Sequence, residues 1–423
     1  MSTQLLSPNL LHHAEYPAPP LAERVWVGVK RHALSLMLDT REVYTFDPVG
    51  RLWIAFIEGV NYKRGLDGRM VCKWFTPDGM RRLHRLTGEE ADSILRWAHQ
   101  MATQALELFP AESDPACKEA LQRACAWDVA AHHRDAERFL QVYKPVSILP
   151  PDQYLALVLQ VTEGCHWNRC TFCDFYRDRR FAVKTPQQLR EHIARVQEYF
   201  GETLRLRNRI FLADANALVA PQRMLVPLLE VVRETFAIEP EDLEPEELSR
   251  WREEHPVRFQ GIYSFVDAFT GYRKSVAEWR ELRQLGVRRV YIGVETGCED
   301  LLRFLRKPQT GDEVVQTVQT LKEAGIAVGI ILLLGAGGDR YARAHVEETV
   351  ALLRRLPWSA GDILYFSELV EPFAGEYTQL AREAGIQPLS PEQMLAQRRE
   401  MEAALNLPPG VQRATYDIRE FVY

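Results

Sequence analysis

Three cysteines crowd into one short stretch of this chain, GCHWNRCTFCDFY, where Cys165, Cys170 and Cys173 stand in a CxxxxCxxC spacing. Thiolates are soft ligands, and three of them on one loop reach three corners of an iron–sulfur cubane. Such a cubane keeps one iron without a protein ligand, and a small molecule can coordinate there. A cluster that only carries electrons is normally closed by a fourth cysteine. Two other readings compete. A structural zinc site would take His166 as its fourth ligand, although His166 directly follows Cys165 and zinc motifs usually bring two separated ligand pairs. The three cysteines could also be incidental.

A loop of this kind needs a rigid element on either side, and the surrounding sequence supplies a regular alternation from about Leu155 onward. Leu155 to Val161 (LALVLQV) reads as a buried strand bounded by Pro150-Pro151 and Gly164, and it runs straight into the cysteine loop. A helix follows from Pro186, with Thr185 and Gln188 as a capping box. Further strands are expected at Arg209 to Ala213, Arg258 to Ser264, Arg289 to Val294, Ala327 to Leu334 and Ile363 to Phe366. The helices between them are expected at Pro221 to Phe236, before Gly286, from Thr310 to Gly325 and from Ala342 to Leu356.

Six βα steps in one direction imply parallel strands joined by helical crossovers, a partial (β/α)6 TIM-like barrel in an α/β chain. Ligand sites in such sheets lie at the carboxyl ends of the strands, where the cysteine loop falls. Residues 1–150 do not share this rhythm. Glu42 to Phe56 and Met70 to Phe75 read as short strands and Glu89 to Phe109 as a helix, an N-terminal α+β cap. The barrel is assigned to 151–370. Residues 371–423 form a C-terminal tail, helical from Pro391 to Leu405 and ending in an extended YDIREFVY.

Bulk composition narrows the function class. The chain has 423 residues, 46% hydrophobic and 26% charged, which is ordinary globular usage, with a net charge of -6 that gives no general drive toward nucleic acid or anionic lipid. No secretory signal and no apolar run of bilayer length is evident, so a cytoplasmic location and no membrane span are expected. Seven cysteines, three crowded and four scattered (Cys72, Cys117, Cys125, Cys298), fit metal binding in a reducing compartment better than a disulfide framework.

The loop GCHWNRCTFC resembles that of the radical SAM superfamily, in particular an Elongator-like and NifB-like branch with a CxxxxCxxC cluster loop. The resemblance covers roughly Leu155 to Pro372, with a matching terminal YDIREF. It implies a [4Fe–4S] cluster held by Cys165, Cys170 and Cys173, with S-adenosylmethionine (SAM) on the open iron. FLADANAL (Phe211 to Leu218) is similar to the family segment that holds the methionine amino group, implying Asp214 and Asn216, although Ala215 and Asn216 depart from the usual glycine and acid. YIGVETG (Tyr291 to Gly297) implies Glu295 and Thr296 near the ribose. ILLLGAGG (Ile331 to Gly338) implies that Gly335 and Gly337 let the nucleotide lie against the sheet. Phe172 and Phe175 would shield the site. Each residue also has a plain structural reading: Asp214 as a helix cap, Glu295 in an ion pair, the glycines in turns, the aromatics in packing.

The implied reaction is reductive cleavage of SAM to methionine and a 5′-deoxyadenosyl radical that abstracts hydrogen from a substrate. The implied partner is a one-electron donor such as flavodoxin or ferredoxin. A small metabolite, lipid or cofactor precursor is the first expectation for the substrate. RNA or protein modification, with the N-terminal region as docking module, is the second, and a non-catalytic iron–sulfur or zinc protein the third. Cys298 enters as a hydrogen donor to a substrate radical, against the commoner role of buried filler. Asn61 to Trp74 carries Lys63, Arg64, Arg69 and Lys73 among aromatics, which suits RNA or phosphate, but more often marks a solvated hairpin. The pairs His12-His13 and His132-His133 lack metal spacing and are expected at the surface. There is no DxHxxG, which disfavours a cobalamin-dependent methyltransferase of the usual kind.

Overall fold

A computed structural model describes residues 25–30, 33–39, 41–109, 114–370 and 375–423. His12, His13 and the expected start of the tail at 371 lie outside these. The chain divides into two compact units, one of residues up to Ile148 with Arg195–Leu206 and Ile418–Tyr423, the other of Leu149–Ala194 with Arg207–Asp417.

The first unit is a seven-stranded antiparallel meander whose spatial order is its chain order: β1 (Val25–Lys30), β2 (Ala33–Leu38), β3 (Glu42–Phe46), β4 (Leu52–Ile57), β5 (Val60–Arg64), β6 (Met70–Phe75) and β7 (Arg81–Arg85). Alternate residues point to one face, so Leu34, Leu36, Tyr44, Phe46, Ala55, Ile57 and Tyr62 form a core with Ile94, Leu95 and Met101. The last three lie on α1 (Gly88–Glu107), which starts at a Thr87–Glu90 capping box. Helices α2 (Pro115–Cys125) and α3 (Val129–Val142) follow. Strand β7 reads RRLHR, with no apolar alternation, and is a strand because β6 pairs with it.

Two expectations change here. The Asn61 to Trp74 hairpin exists, but strand alternation turns Arg64 inward with Val60 and Tyr62, where it is buried and donates to the His132 carbonyl at 3.1 Å. His132 is therefore buried and only His133 is exposed.

The second unit carries seven parallel strands, again in chain order: β8 (Ala156–Gln160), β9 (Arg209–Ala213), β10 (Ile262–Val266), β11 (Val287–Glu295), β12 (Ala327–Leu334), β13 (Ile363–Glu368) and β14 (Gln412–Thr415). Helices α4 (Pro186–Phe200), α5 (Gln222–Thr235), α6 (Pro245–Glu254), α7 (Ala268–Gly271), α8 (Val276–Gln284), α9 (Glu299–Phe304), α10 (Gly311–Glu323), α11 (Gly338–Leu353), α12 (Tyr377–Glu383) and α13 (Pro391–Ala404) connect them. This is the α/β parallel architecture expected, with a seventh strand added. The extended segment at the end of the chain is Gln412–Thr415, just before YDIREFVY, and Ile418–Glu420 is a 3-10 turn.

Strand β10 begins four residues later than expected. Phe259 and Gln260 hydrogen-bond Ala237 and Asn208 instead of entering the sheet. Gly261 then passes so close to Arg288 that a Cβ there would lie 2.2 Å from Cγ.

A row of rings from successive strands fills the sheet. Phe211 and Phe265 lie 5.2 Å apart, Tyr291 and Tyr365 6.4 Å, and Tyr365 and Tyr416 5.6 Å. A Cβ at Gly329 would meet the Tyr291 ring at 2.3 Å, which is why β12 is bare there. Asp152, just ahead of β8, gathers the hydroxyls of Tyr291 and Tyr365 at 2.6 Å each and Arg289 at 2.8 Å. The amino ends of the strands are thus plugged by the Asp152 cluster, leaving the carboxyl ends for chemistry. No helix among the described residues is long and apolar enough to cross a membrane.

Candidate functional site

The cysteine loop leaves β8 through Gly164, whose φ of 74° suits glycine and whose Cβ would meet the Arg180 carbonyl at 3.0 Å. The loop is held by its own backbone and by neighbours. Asn168 N donates to the Cys165 sulfur at 3.4 Å, and its side chain donates to the Tyr176 carbonyl at 2.8 Å. Thr171 N donates to the Leu305 carbonyl at 3.0 Å, and Tyr377 N to the Thr171 carbonyl at 2.9 Å. Trp167 Nε1 donates to the Arg306 carbonyl at 2.8 Å. Gly375 lies so near that a Cβ would touch the Thr171 carbonyl at 2.6 Å.

Burial pushes the Cys170 thiol up to about 11 and the Cys173 thiol up to about 12, and the neighbouring cysteines push in the same direction. Burial raises the Cys165 thiol as well, and a metal displaces the protons of its thiol ligands on binding. Among the described residues no three His, Cys, Asp or Glu side chains converge on a single metal position. A cubane asks for no such convergence, because each thiolate takes a different iron.

The other expected residues end the neighbouring strands. Asp214, after β9, is buried and accepts from Gln160 Nε2 at 3.0 Å, Gly164 N at 3.0 Å and Arg179 at 3.2 Å. It anchors the start of the cysteine loop; burial, the largest influence, raises its carboxyl above the ordinary range. Asn216 donates to Asp267, at the end of β10, while its own Oδ1 is buried without a partner. Asp267 also lies 3.5 Å from His166.

Glu295 closes β11 beyond a register shift at Gly293, with a left-handed φ of 62°. That shift and φ re-aim its side chain, and Oε1 accepts from Lys307 Nζ at 2.6 Å. Burial opposes the Lys307 charge, but Glu295 and Cys170 outweigh it and hold the ammonium above its ordinary value.

Thr296 points elsewhere. Its hydroxyl meets His345 Nδ1 of α11 at 2.7 Å. Gly335 and Gly337, after β12, both have positive φ; Gly335 N donates to Gln397 at 3.0 Å and Gly337 N to the Tyr377 hydroxyl at 2.7 Å. Phe172 packs on an apolar cluster of Cys298, Leu301, Leu333 and Tyr377. Cys298 is thus a buried member of that cluster, and Phe175 packs edge-on against Tyr176 at 6.4 Å.

The structure brings the cysteine loop, Asp214, Asn216 and the Glu295–Lys307 pair to the carboxyl ends of β8 to β11, and turns Thr296 and Cys298 away into packing. Sequence reasoning missed Lys307 and Asp267. Lys307 sits in an unremarkable RKPQT, and only the fold carries it to Glu295.

The residues present fit an iron–sulfur cubane with a polar ligand. The donor set is three soft thiols with backbone groups hydrogen-bonded to the Cys165 and Cys173 sulfurs, and His166, Thr171 and Asn216 carry buried polar atoms without a hydrogen-bond partner in the protein.

Comparison with known proteins agrees. A curated protein from Priestia megaterium, 4′-phospho-dehydrooxetanocin synthase, is 22% identical over 231 residues, covering 50% of this chain and 28% of that protein, so the chain spans under a third of its relative's length. Among solved structures, the radical SAM methyltransferase TsrM from Kitasatospora setae aligns over 64% of this chain and 57% of its own at 13% identity and a TM-score of 0.38. Coproporphyrinogen III oxidase from Escherichia coli aligns over 66% and 56% at 14% identity and a TM-score of 0.37. At such scores these two say nothing about this chain's chemistry. Residues 159–353, the segment holding the cysteine loop and strands β9 to β12, match the Radical SAM superfamily, a family of enzymes that uses a [4Fe–4S] cluster and S-adenosylmethionine.

Proposed function

We propose that Cys165, Cys170 and Cys173 hold the [4Fe–4S] cluster with one iron open to SAM, and that the chain is a radical enzyme acting on a small metabolite, lipid or cofactor precursor. When bound, the cluster supplies an electron for reductive cleavage of SAM to methionine and a 5′-deoxyadenosyl radical, which abstracts a substrate hydrogen. The observation that carries the reading is the braced loop of three thiols at the carboxyl end of β8, facing Glu295 and Lys307.

The chain's own residues position and exclude. Asp214 fixes the loop's entry by accepting from Gly164 N, and Arg179 keeps that carboxylate in place. Lys307 holds one oxygen of Glu295, leaving the other to accept from a ribose hydroxyl or an ammonium group. Asn216 Oδ1 and the His166 ring offer further polar contacts that the protein leaves open. Phe172, over its apolar cluster, keeps water from a reactive carbon centre. Thr296, Gly335 and Gly337 shape the wall from behind, through α11, α12 and α13. The relative's name supports a small-molecule substrate over RNA or protein.

Anaerobic reconstitution tests this. The wild type should turn brown, bind iron and sulfide, and release 5′-deoxyadenosine with dithionite and SAM. A colourless zinc protein that yields none would end the proposal.

A further inference from the structure

A cavity of about 330 Å³ opens in the second unit at the carboxyl ends of β12 and β13, and none of Cys165, Cys170, Cys173, Asp214, Glu295 or Lys307 lines it. Leu369, Tyr377, Ala381, Ile386, Leu389 and Met394 give it an apolar wall. That wall is braced by hydrogen bonds and close packing around it. The Tyr377 hydroxyl accepts from Gly337 N at 2.7 Å. Asp339 N donates to the Gln387 carbonyl at 3.0 Å, and the Asp339 carboxylate accepts from Gln387 N at 2.9 Å. Gly335 leaves room for Met394, whose Sδ a Cβ would meet at 2.6 Å. The space is thus preformed and falls within the roughly 300–1,000 Å³ of small-molecule sites.

We propose that this cavity seats the apolar part of an amphiphilic acid, whose carboxylate or phosphate end meets Arg382. The volume has room for about ten groups of water's size, at roughly 30 Å³ each, which sets the length of the apolar part. Taking that molecule as the substrate, or part of it, rests on the proposed function; that the cavity binds it does not.

Three observations converge. Arg382 is the one charged side chain among the residues lining the cavity; it is exposed on the last turn of α12 and enters no ion pair among the described residues, its neighbour Glu383 being bonded by Gln379. Gln397 stands one turn beyond Met394 on α13, 5% exposed, and its Oε1 accepts from Gly335 N while its Nε2 is buried without a partner. Both groups are donors, so they ask for a ligand bearing acceptor oxygens, and the wall between them asks for an apolar body. Finally, Tyr377, Ala381 and Ile386 also belong to the apolar cluster on which Phe172 of the cysteine loop packs, so the cavity and the loop share a wall.

The test titrates the full chain, before any reconstitution, with decanoate, decyl phosphate and uncharged 1-decanol by isothermal calorimetry. At least one anion should bind about tenfold more tightly than 1-decanol, as a hydrogen bond to a charged group allows, and the tighter anion names the head group. Thr378→Trp places a large ring in the space from a half-buried position on α12 and should weaken that anion about tenfold or more. Arg382→Ala, at an exposed position, should weaken it about tenfold and leave 1-decanol unchanged. In reconstituted protein, enough anion to fill the wild type should change the rate of 5′-deoxyadenosine release with dithionite and SAM.

Two silent anions, an anion held no more tightly than 1-decanol, or an affinity that both variants leave unchanged overturns the proposal. Should Thr378→Trp lose the wild-type thermal transition, Arg382→Ala decides alone. A release rate that bound anion leaves unchanged removes the cavity from the substrate's seat. If the wild type releases no 5′-deoxyadenosine at all, the proposed function fails, whereas the affinities, taken without cofactor, still decide whether the cavity holds an amphiphile.

Discussion

Each unit buries a polar cluster, and the two are finished differently. In the first unit Arg51 donates to Asp47 at 2.7 Å, to Asp135 at 3.2 Å, to Tyr199 at 3.1 Å and to Thr203 at 3.2 Å, and Tyr199 donates back to Asp135 at 3.0 Å. None of these side chains has a buried polar atom without a partner. In the second unit Thr171 and Asn216 are as well buried and His166 is half-buried, yet each carries a buried polar atom without a hydrogen-bond partner. A closed network specifies a fold, because every donor and acceptor is already matched. An open one costs about 1–3 kcal/mol per unmatched group, and that cost is tolerable where a ligand completes it. Under the proposed function the second cluster is where a ligand would complete the set, while the Arg51 network is complete within the protein.

The largest effect should come from the loop itself. Cys170→Ala should abolish bound iron and all SAM cleavage while the far-ultraviolet circular dichroism and thermal transition stay as in the wild type, because the loop lies at strand ends and outside the core. Global unfolding of that variant would erase the distinction between the two clusters. Next comes Arg51→Ala, which strands Asp47 and Asp135 as buried charges and should lower unfolding free energy by about 3–5 kcal/mol in urea titration. A loss below 1 kcal/mol would mean that the network is not the brace its geometry implies.

Smaller again is Glu295→Gln. Losing a charged acceptor should weaken SAM binding by about 1.5–3 kcal/mol, roughly ten- to a hundredfold, as read by equilibrium dialysis on the reconstituted protein. Lys307→Met should produce a similar loss, since Lys307 orients that carboxylate; a Lys307→Met protein with wild-type affinity would separate the pair.

Each unit buries a histidine that burial keeps neutral, His132 in the first and His345 in the second, and acid should unsettle both. Burial holds His132 down to about 2 and His345 down to about 4, from an ordinary 6.5. For His132, Arg64 and Arg51 add to the effect. A depressed folded value means the stabilisation is complete above 6.5 and is withdrawn as pH falls through that value. Each histidine should therefore cost about 1.4 kcal/mol per pH unit below 6.5, His345 ceasing near 4 while His132 continues toward 2. Urea midpoints followed from pH 7 to 5 check this, and His132→Gln should flatten the first unit's share of the slope.

What the sequence made legible follows from which signals are local. The capping boxes at Thr185–Gln188 and Thr310–Glu313 formed as expected, and Arg209–Ala213 and Ala327–Leu334 are strands to the residue, because caps and apolar runs are readable within a few positions. Lys307 was not legible, since its meaning depends on a register shift at Gly293 in another strand. Nor was the seven-stranded meander, where RRLHR becomes a strand only through its neighbour. The same limit applies to Thr296, whose motif neighbours suggested a ligand contact and whose hydroxyl the fold hands to His345.

The smallest effect is the sharpest test of the contrast. Thr171 lies between Cys170 and Phe172, fully buried, with both backbone groups bonded and its hydroxyl unmatched. Thr171→Val preserves shape and removes only that hydroxyl. If the open cluster is a ligand seat, the cofactor-free variant should gain about 1 kcal/mol in urea, because an unmatched group has gone. The reconstituted variant should hold SAM less tightly than the wild type. Were the gain in stability to persist unchanged with cofactor bound and SAM affinity intact, the unmatched hydroxyl would be a packing defect, and incompleteness at this mouth would lose its meaning as a sign of function.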